Sequence, residues 1–169
     1  VALNMLGREF VDFFKFPIHL DMVGTAVAAI ALGPWRGAAV GATTNVVGII
    51  GSGLVSLPFA LVNVVGALVW GYGDRNWRMG TTLVRFFWLN LIVATACSVV
   101  AVPLVLALLN GQDRVGHDAF VQLSQNVMSS LVVAVTFSNW IVSVLDKLIS
   151  GFVALVVVSA LPFHLRHKI

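Results

Sequence analysis

Between residues 81 and 109 the sequence is apolar almost without a break, with a single charge, Arg85, near its start. A stretch of that length is enough to cross a bilayer, which takes about 20 helical residues. A helix of this length in water would need a charged outer face, and this one has none. The rest of the chain repeats the pattern. Apolar runs cover residues 18–32, 37–54, 57–72 and 144–161, and residues 1–6 read as the tail of a first helix whose start is missing. Composition agrees. Of 169 residues, 59% are hydrophobic and only 10% are charged, against about a quarter charged in a typical globular protein. Mean hydropathy is +0.99. The expected fold is an all-α membrane protein: one integral membrane domain over residues 1–169, a six-helix transmembrane bundle with its first helix truncated.

The positions of the charges predict an orientation. Arg36 separates the second and third runs, Arg75, Arg78 and Arg85 cluster between the fourth and fifth, and Arg166 and Lys168 lie near the C-terminus. The other loops are mixed: Arg8, Glu9, Asp12 and Lys15 in an aromatic loop over residues 7–17, then Asp113, Arg114 and Asp118. Basic loops stay in the cytoplasm, so the first set is expected inside, with a cytoplasmic C-terminus in a multi-pass plasma-membrane protein. This requires that residues 120–140 do not fully span, and they read as a helix lying on or dipping into the outer side.

Small and polar residues mark the helix faces. Gly24 and Ala28 on helix two, and Gly37 and Gly41 on helix three, recur at four-residue spacing. In lipid, such residues let backbones approach closely. They serve packing within the chain or docking of another membrane subunit, and they are the candidates for a docking surface. Polar groups are costly in the membrane and usually face an interior or a cavity. They are Asp21, Asn45, Asn63, Asn90, Asn126, Asn139 and Lys147. Asn63 shares a face with Gly66, Ala67 and Trp70; Asn90 with Ala94, Cys97 and Ala101; Lys147 with Ser150, Gly151 and Ala154. Asp146 and Lys147 are adjacent and project about 100° apart on a helix, which makes them poor partners. Lys147 is therefore expected to find Asp21, an anionic ligand or outer-side water.

Several chemistries have no motif here. There is no HExxH, GxSxG or GxxxxGK[ST], so neither an enzyme nor a Walker-type nucleotide site is expected. The lone cysteine, Cys97, makes no internal disulfide or thiolate metal site. His164 and His167 sit in a basic tail and read as part of a cytoplasmic anchor. No metal, cofactor or nucleic-acid partner is expected. Trp35, Trp70, Trp77, Trp88 and Trp140 mostly fall near span ends, as an aromatic belt does.

The order of features resembles a known family. An aromatic loop reaches Phe16, Pro17 and Asp21. The hairpin Leu32-Gly33-Pro34 follows, with Gly37 and Gly41, then Asn45 in the next helix. Next come Pro58, Phe59, Asn63 and Gly66, and the last span opens with Asp146 and Lys147. Together these resemble the substrate-binding S components of energy-coupling factor (ECF) transporters, especially the riboflavin-type branch. The resemblance covers nearly the whole chain, and its most specific element is the G-P-x-x-G hairpin. It implies a six-helix membrane protein that binds a vitamin or related small molecule on its outer side. Such a subunit docks on a membrane coupling (T) subunit carrying two ATPases and hydrolyses nothing itself. Two departures stand out. The family's A-x-x-x-A docking stripe on helix one has no counterpart here, and residues 120–140 are longer than a simple lid loop.

The candidate substrate-binding residues are Phe14, Phe16, Asp21, Asn45, Asn63, Asn139, Trp140 and Lys147. The asparagines would hydrogen-bond a heterocycle and the aromatic residues would stack on it. Asp21 stands about 15 residues, or ~22 Å of helix, from Arg36 in the Gly-Pro-Trp-Arg-Gly hairpin, so it serves the opposite end. A second reading, a membrane sensor or interaction module of the same fold without an ATPase, is separated from the first by which proteins co-purify. A small channel is disfavoured because no helix carries a polar stripe along its whole length.

Overall fold

The computed structural model describes residues 1–109 and 130–161. Every regular element among them is helical: α1 (Ala2–Phe14), α2 (Val23–Leu32), α3 (Pro34–Val47), the short α4 (Ile49–Ser52) continued by a 3₁₀ turn (Gly53–Ser56), α5 (Ala60–Arg75), α6 (Leu83–Leu109) and α7 (Leu131–Ala160). The segment Pro34–Ser56, α6 and α7 are long and apolar enough to cross a membrane, as in a helical membrane protein.

α2 is the hub, packing on α1, α3, α5 and α7, while α3–α5, α5–α6 and α6–α7 contacts complete a ring. This explains why nearly all of α2 is buried although its sequence has no polar face to mark an outside. The joint between α2 and α3 is tight because Gly33 takes φ +115°, a conformation open to glycine. Pro34 then starts α3, where a missing N–H costs nothing. A side chain on Gly37 would meet the Ala29 backbone at 2.7 Å, so glycine sets how closely the hairpin closes.

The small-residue faces are therefore used inside the chain. Gly24 lies under Leu3 and Asn4 of α1, Gly37 against Ala29, and Gly41 against Asn63 of α5. Ala28 is also buried. None of these four expected docking residues is on the surface, because α2 is surrounded and α3 turns its glycines toward α2 and α5.

Three boundaries differ from expectation. Residues 7–14 continue α1 instead of forming a loop. Asn4, Arg8 and Val11 share its buried face, and the helix ends only at Lys15, which is left-handed at φ 54°. α2 starts at Val23, not residue 18, because Leu20 also takes positive φ. The last helix starts at Leu131, so residues 131–140 belong to it and do not form a separate segment. The earlier part of the expected outer segment, with Asn126, lies outside the described residues, as do His164, His167, Arg166 and Lys168.

The inward faces are placed as read. Trp70, Asn90, Ala94, Cys97, Lys147, Ser150, Gly151 and Ala154 are all buried. At the α5–α6–α7 junction Trp70 Nε1 donates to Asn90 Oδ1 at 2.8 Å, and Asn90 Nδ2 donates to Phe86 O at 2.9 Å. A side chain at Gly151 would collide with that Asn90 oxygen.

Asn4 ties α1 to both α2 and α3. Asn4 Oδ1 accepts the N–H groups of Gly24 (2.6 Å) and Thr25 (3.2 Å), while its Nδ2 donates to Thr25 Oγ1 and Thr44 Oγ1, both at 2.8 Å. The first N–H groups of a helix have no intrahelical acceptor, so Asn4 caps α2 from a different helix.

The two ends of the bundle differ. Arg36, Arg75, Arg78 and Arg85 gather at the end that holds the α2–α3 hairpin, where the Arg75 guanidinium lies against Gly33. The polar, concave surface is at the other end.

Candidate functional site

A cavity of about 370 Å³ opens between the start of α2, the end of α3 with its 3₁₀ turn, the start of α5, and the facing sides of α6 and α7. Small-molecule sites span roughly 300–1,000 Å³, so this one suits a compact ligand. Its apolar base includes Met22 and Cys97, each 1% exposed. Gly66 lies beneath: a Cβ there would strike the Met22 methyl and sit 3.0 Å from Cys97 Sγ. Phe59 and Val62, where the chain enters α5, form an apolar wall.

α7 contributes Asn139, Ser143 and Lys147. Their four-residue spacing puts them in one row on the helix. Ser143 Oγ is used, donating to Ala94 O at 3.1 Å. Lys147 pairs with Asp146, whose other oxygen accepts the N–H of Leu20 at 2.7 Å. This corrects the expectation that these neighbours would not meet. The short Asp146 side chain is held by the 18–22 turn, and the four-carbon stem of Lys147 is long enough to bend round the helix to it.

Asn45 lines the cavity but is committed to the framework. Its Nδ2 donates to Gly41 O at 3.2 Å, and Ser56 Oγ donates to Asn45 O at 2.9 Å and lies 3.4 Å from Asn45 Oδ1. It braces the 3₁₀ turn against α3. Asn63 and Asn139 are different. They are 3% and 5% exposed, both line the cavity, and the Oδ1 of each has no hydrogen-bond donor. A buried carbonyl oxygen without a donor costs about 1–3 kcal/mol.

Five of the eight expected binding residues therefore meet at one cavity: Asp21, Asn45, Asn63, Asn139 and Lys147. Three do not line it. Phe14 and Phe16 stack on each other at 5.7 Å beside Phe10 and remain about half exposed. Trp140 points off the other side of α7, where its Nε1 donates to Thr95 Oγ1 at 3.2 Å. The aromatic surface in the cavity comes from Phe59.

Sequence reasoning also missed contributors. Arg8 reaches the cavity from α1, donates to Ser52 and lies 3.9 Å from Asp12. It lies on α1 and not in a loop, and the Asn4-Arg8-Val11 spacing describes that helix face. His19 and Ser52 also line the cavity; they come from turns, which leave no periodic signal. What the arrangement can do is hold a small polar molecule between apolar walls. The chain matches no family model, no curated protein and no solved structure.

Proposed function

We propose that this chain is the substrate-binding S subunit of an ECF-type importer, of the riboflavin-type branch. It takes up a vitamin or related small molecule from outside and docks on a membrane coupling subunit with two ATPases. The observation that carries this reading is the cavity with two buried, donorless amide oxygens at the end opposite the arginines. Basic residues favour the cytoplasmic side, so this polarity supports an outward-facing cavity and a cytoplasmic C-terminus in the plasma membrane.

The test is a fluorescence titration of the purified chain against a panel of vitamins. A dissociation constant below ~10 μM, or about 7 kcal/mol of binding, is expected for one of them, and weaker binding by all would overturn the reading. Co-purification with a coupling subunit and ATPases is expected; capture with a kinase instead would favour a sensor. For orientation, Arg36→Cys in a Cys97→Ser background is expected to react with an impermeant thiol reagent only after the cells are permeabilised.

A further inference from the structure

The end of the bundle opposite the cavity carries charges that the chain leaves unanswered. The last turns of α5 are held there between two neighbours: Gly71 meets Pro34 of the α2–α3 hairpin, and Gly73 meets Leu89 near the start of α6. This packing brings Arg36, Arg75, Arg78 and Arg85 to one end, and all four are exposed. None of them makes an ion pair or a side-chain hydrogen bond among the described residues. The acid next to them, Asp74, is only 4% exposed and lies against Gly80, so it does not balance them at the surface. At the cavity end, by contrast, Arg8 lies beside Asp12 and Lys147 beside Asp146.

The surface around the arginines is apolar as well as basic. Trp35, Trp77 and Trp88 are each more than half exposed. Leu83 and Val84, in the first turn of α6 beside Arg85, are 68% and 69% exposed. Exposed tryptophans at helix ends sit at the level of the lipid headgroups. Basic clusters at that level attract acidic headgroups, and the guanidinium fork matches the geometry of a phosphate. A soluble acidic protein or a free phosphate would meet the charges and leave Leu83 and Val84 without an apolar neighbour. A phospholipid meets both needs, with its phosphate on the guanidinium groups and an acyl chain along the start of α6. We infer that this end of the bundle binds an acidic phospholipid of the cytoplasmic leaflet as a specific ligand. The inference goes beyond the importer reading and does not depend on it.

The test is native mass spectrometry of the full chain in detergent, titrated with phosphatidylglycerol and with phosphatidylcholine of the same acyl chains. The acidic lipid is expected to bind at least about tenfold more tightly, and high salt is expected to shrink the preference. The variant R36Q/R75Q/R78Q/R85Q is expected to bind both lipids equally without loss of thermal stability. The matched variant R36K/R75K/R78K/R85K is expected to keep most of the preference, and it decides the matter if the glutamine variant does not fold. Millimolar inorganic phosphate is expected not to displace the lipid. Equal binding of the two lipids by the native chain, or a preference that survives in the glutamine variant, would overturn the inference. So would displacement by phosphate, which would assign the surface to a free anion. Tighter binding of a soluble oligoglutamate would assign it to an acidic protein and overturn the lipid as well. None of these outcomes bears on the cavity.

Discussion

Lys147 donates to the carboxylate of Asp146, its neighbour in sequence, and both side chains are buried within α7. Removing one member of a buried pair leaves an uncompensated charge, at a cost of about 3–5 kcal/mol. Lys147→Met is therefore expected to lower the thermal midpoint sharply in detergent. The double variant Lys147→Met/Asp146→Asn is expected to recover much of the loss, because Asn can still accept the Leu20 N–H. Equal instability of the single and double variants would show that the pair is not the source.

Asn4 joins three helices with a single amide. Asn4→Ala would leave the buried N–H groups of Gly24 and Thr25 without an acceptor, at about 1–3 kcal/mol each. Faster hydrogen exchange is expected at the first turn of α2, with little change in α6. Exchange at the wild-type rate would mean that α1 does not cap α2.

Asn45, Asn63 and Asn139 have equivalent side chains but are expected to respond differently. Asn45→Leu breaks the brace to Ser56 and Gly41 and is expected to destabilise the unliganded protein. Asn63→Leu and Asn139→Leu each remove a carbonyl oxygen that lacks a donor, so the unliganded protein is expected to be as stable or more stable while ligand affinity falls. Thermal unfolding with and without ligand separates these outcomes. A clear loss of unliganded stability in the latter two would make them structural residues.

Gly37 sets the closeness of the α2–α3 hairpin. Gly37→Ala places a methyl within 2.8 Å of Ala29 N, and overpacking of this kind costs about 1–3 kcal/mol. Ala39→Val, on the exposed side of the same helix, serves as the control and is expected to leave stability unchanged. Similar midpoints for the two variants would show that the hairpin is not close-packed at Gly37.

Much of this was legible in the chain itself. Long apolar runs marked α6 and most of α7, glycine and proline marked the hairpin, and the arginines marked one end. The inward faces of α5, α6 and α7 followed from three- and four-residue spacing, which is a property of one helix at a time. Five of the cavity residues were found because a polar side chain in an apolar run must face something other than lipid. What each faces depends on distances between helices, and sequence spacing does not contain those distances. Only the tertiary structure decided that Asn45 is occupied while Asn63 and Asn139 are not. It alone showed that Lys147 turns to its neighbour, that Arg8 enters the cavity, and that the glycines of α2 and α3 are consumed by internal packing. Periodicity along a helix sets the direction in which a side chain points, and the packing of helices sets what it meets there.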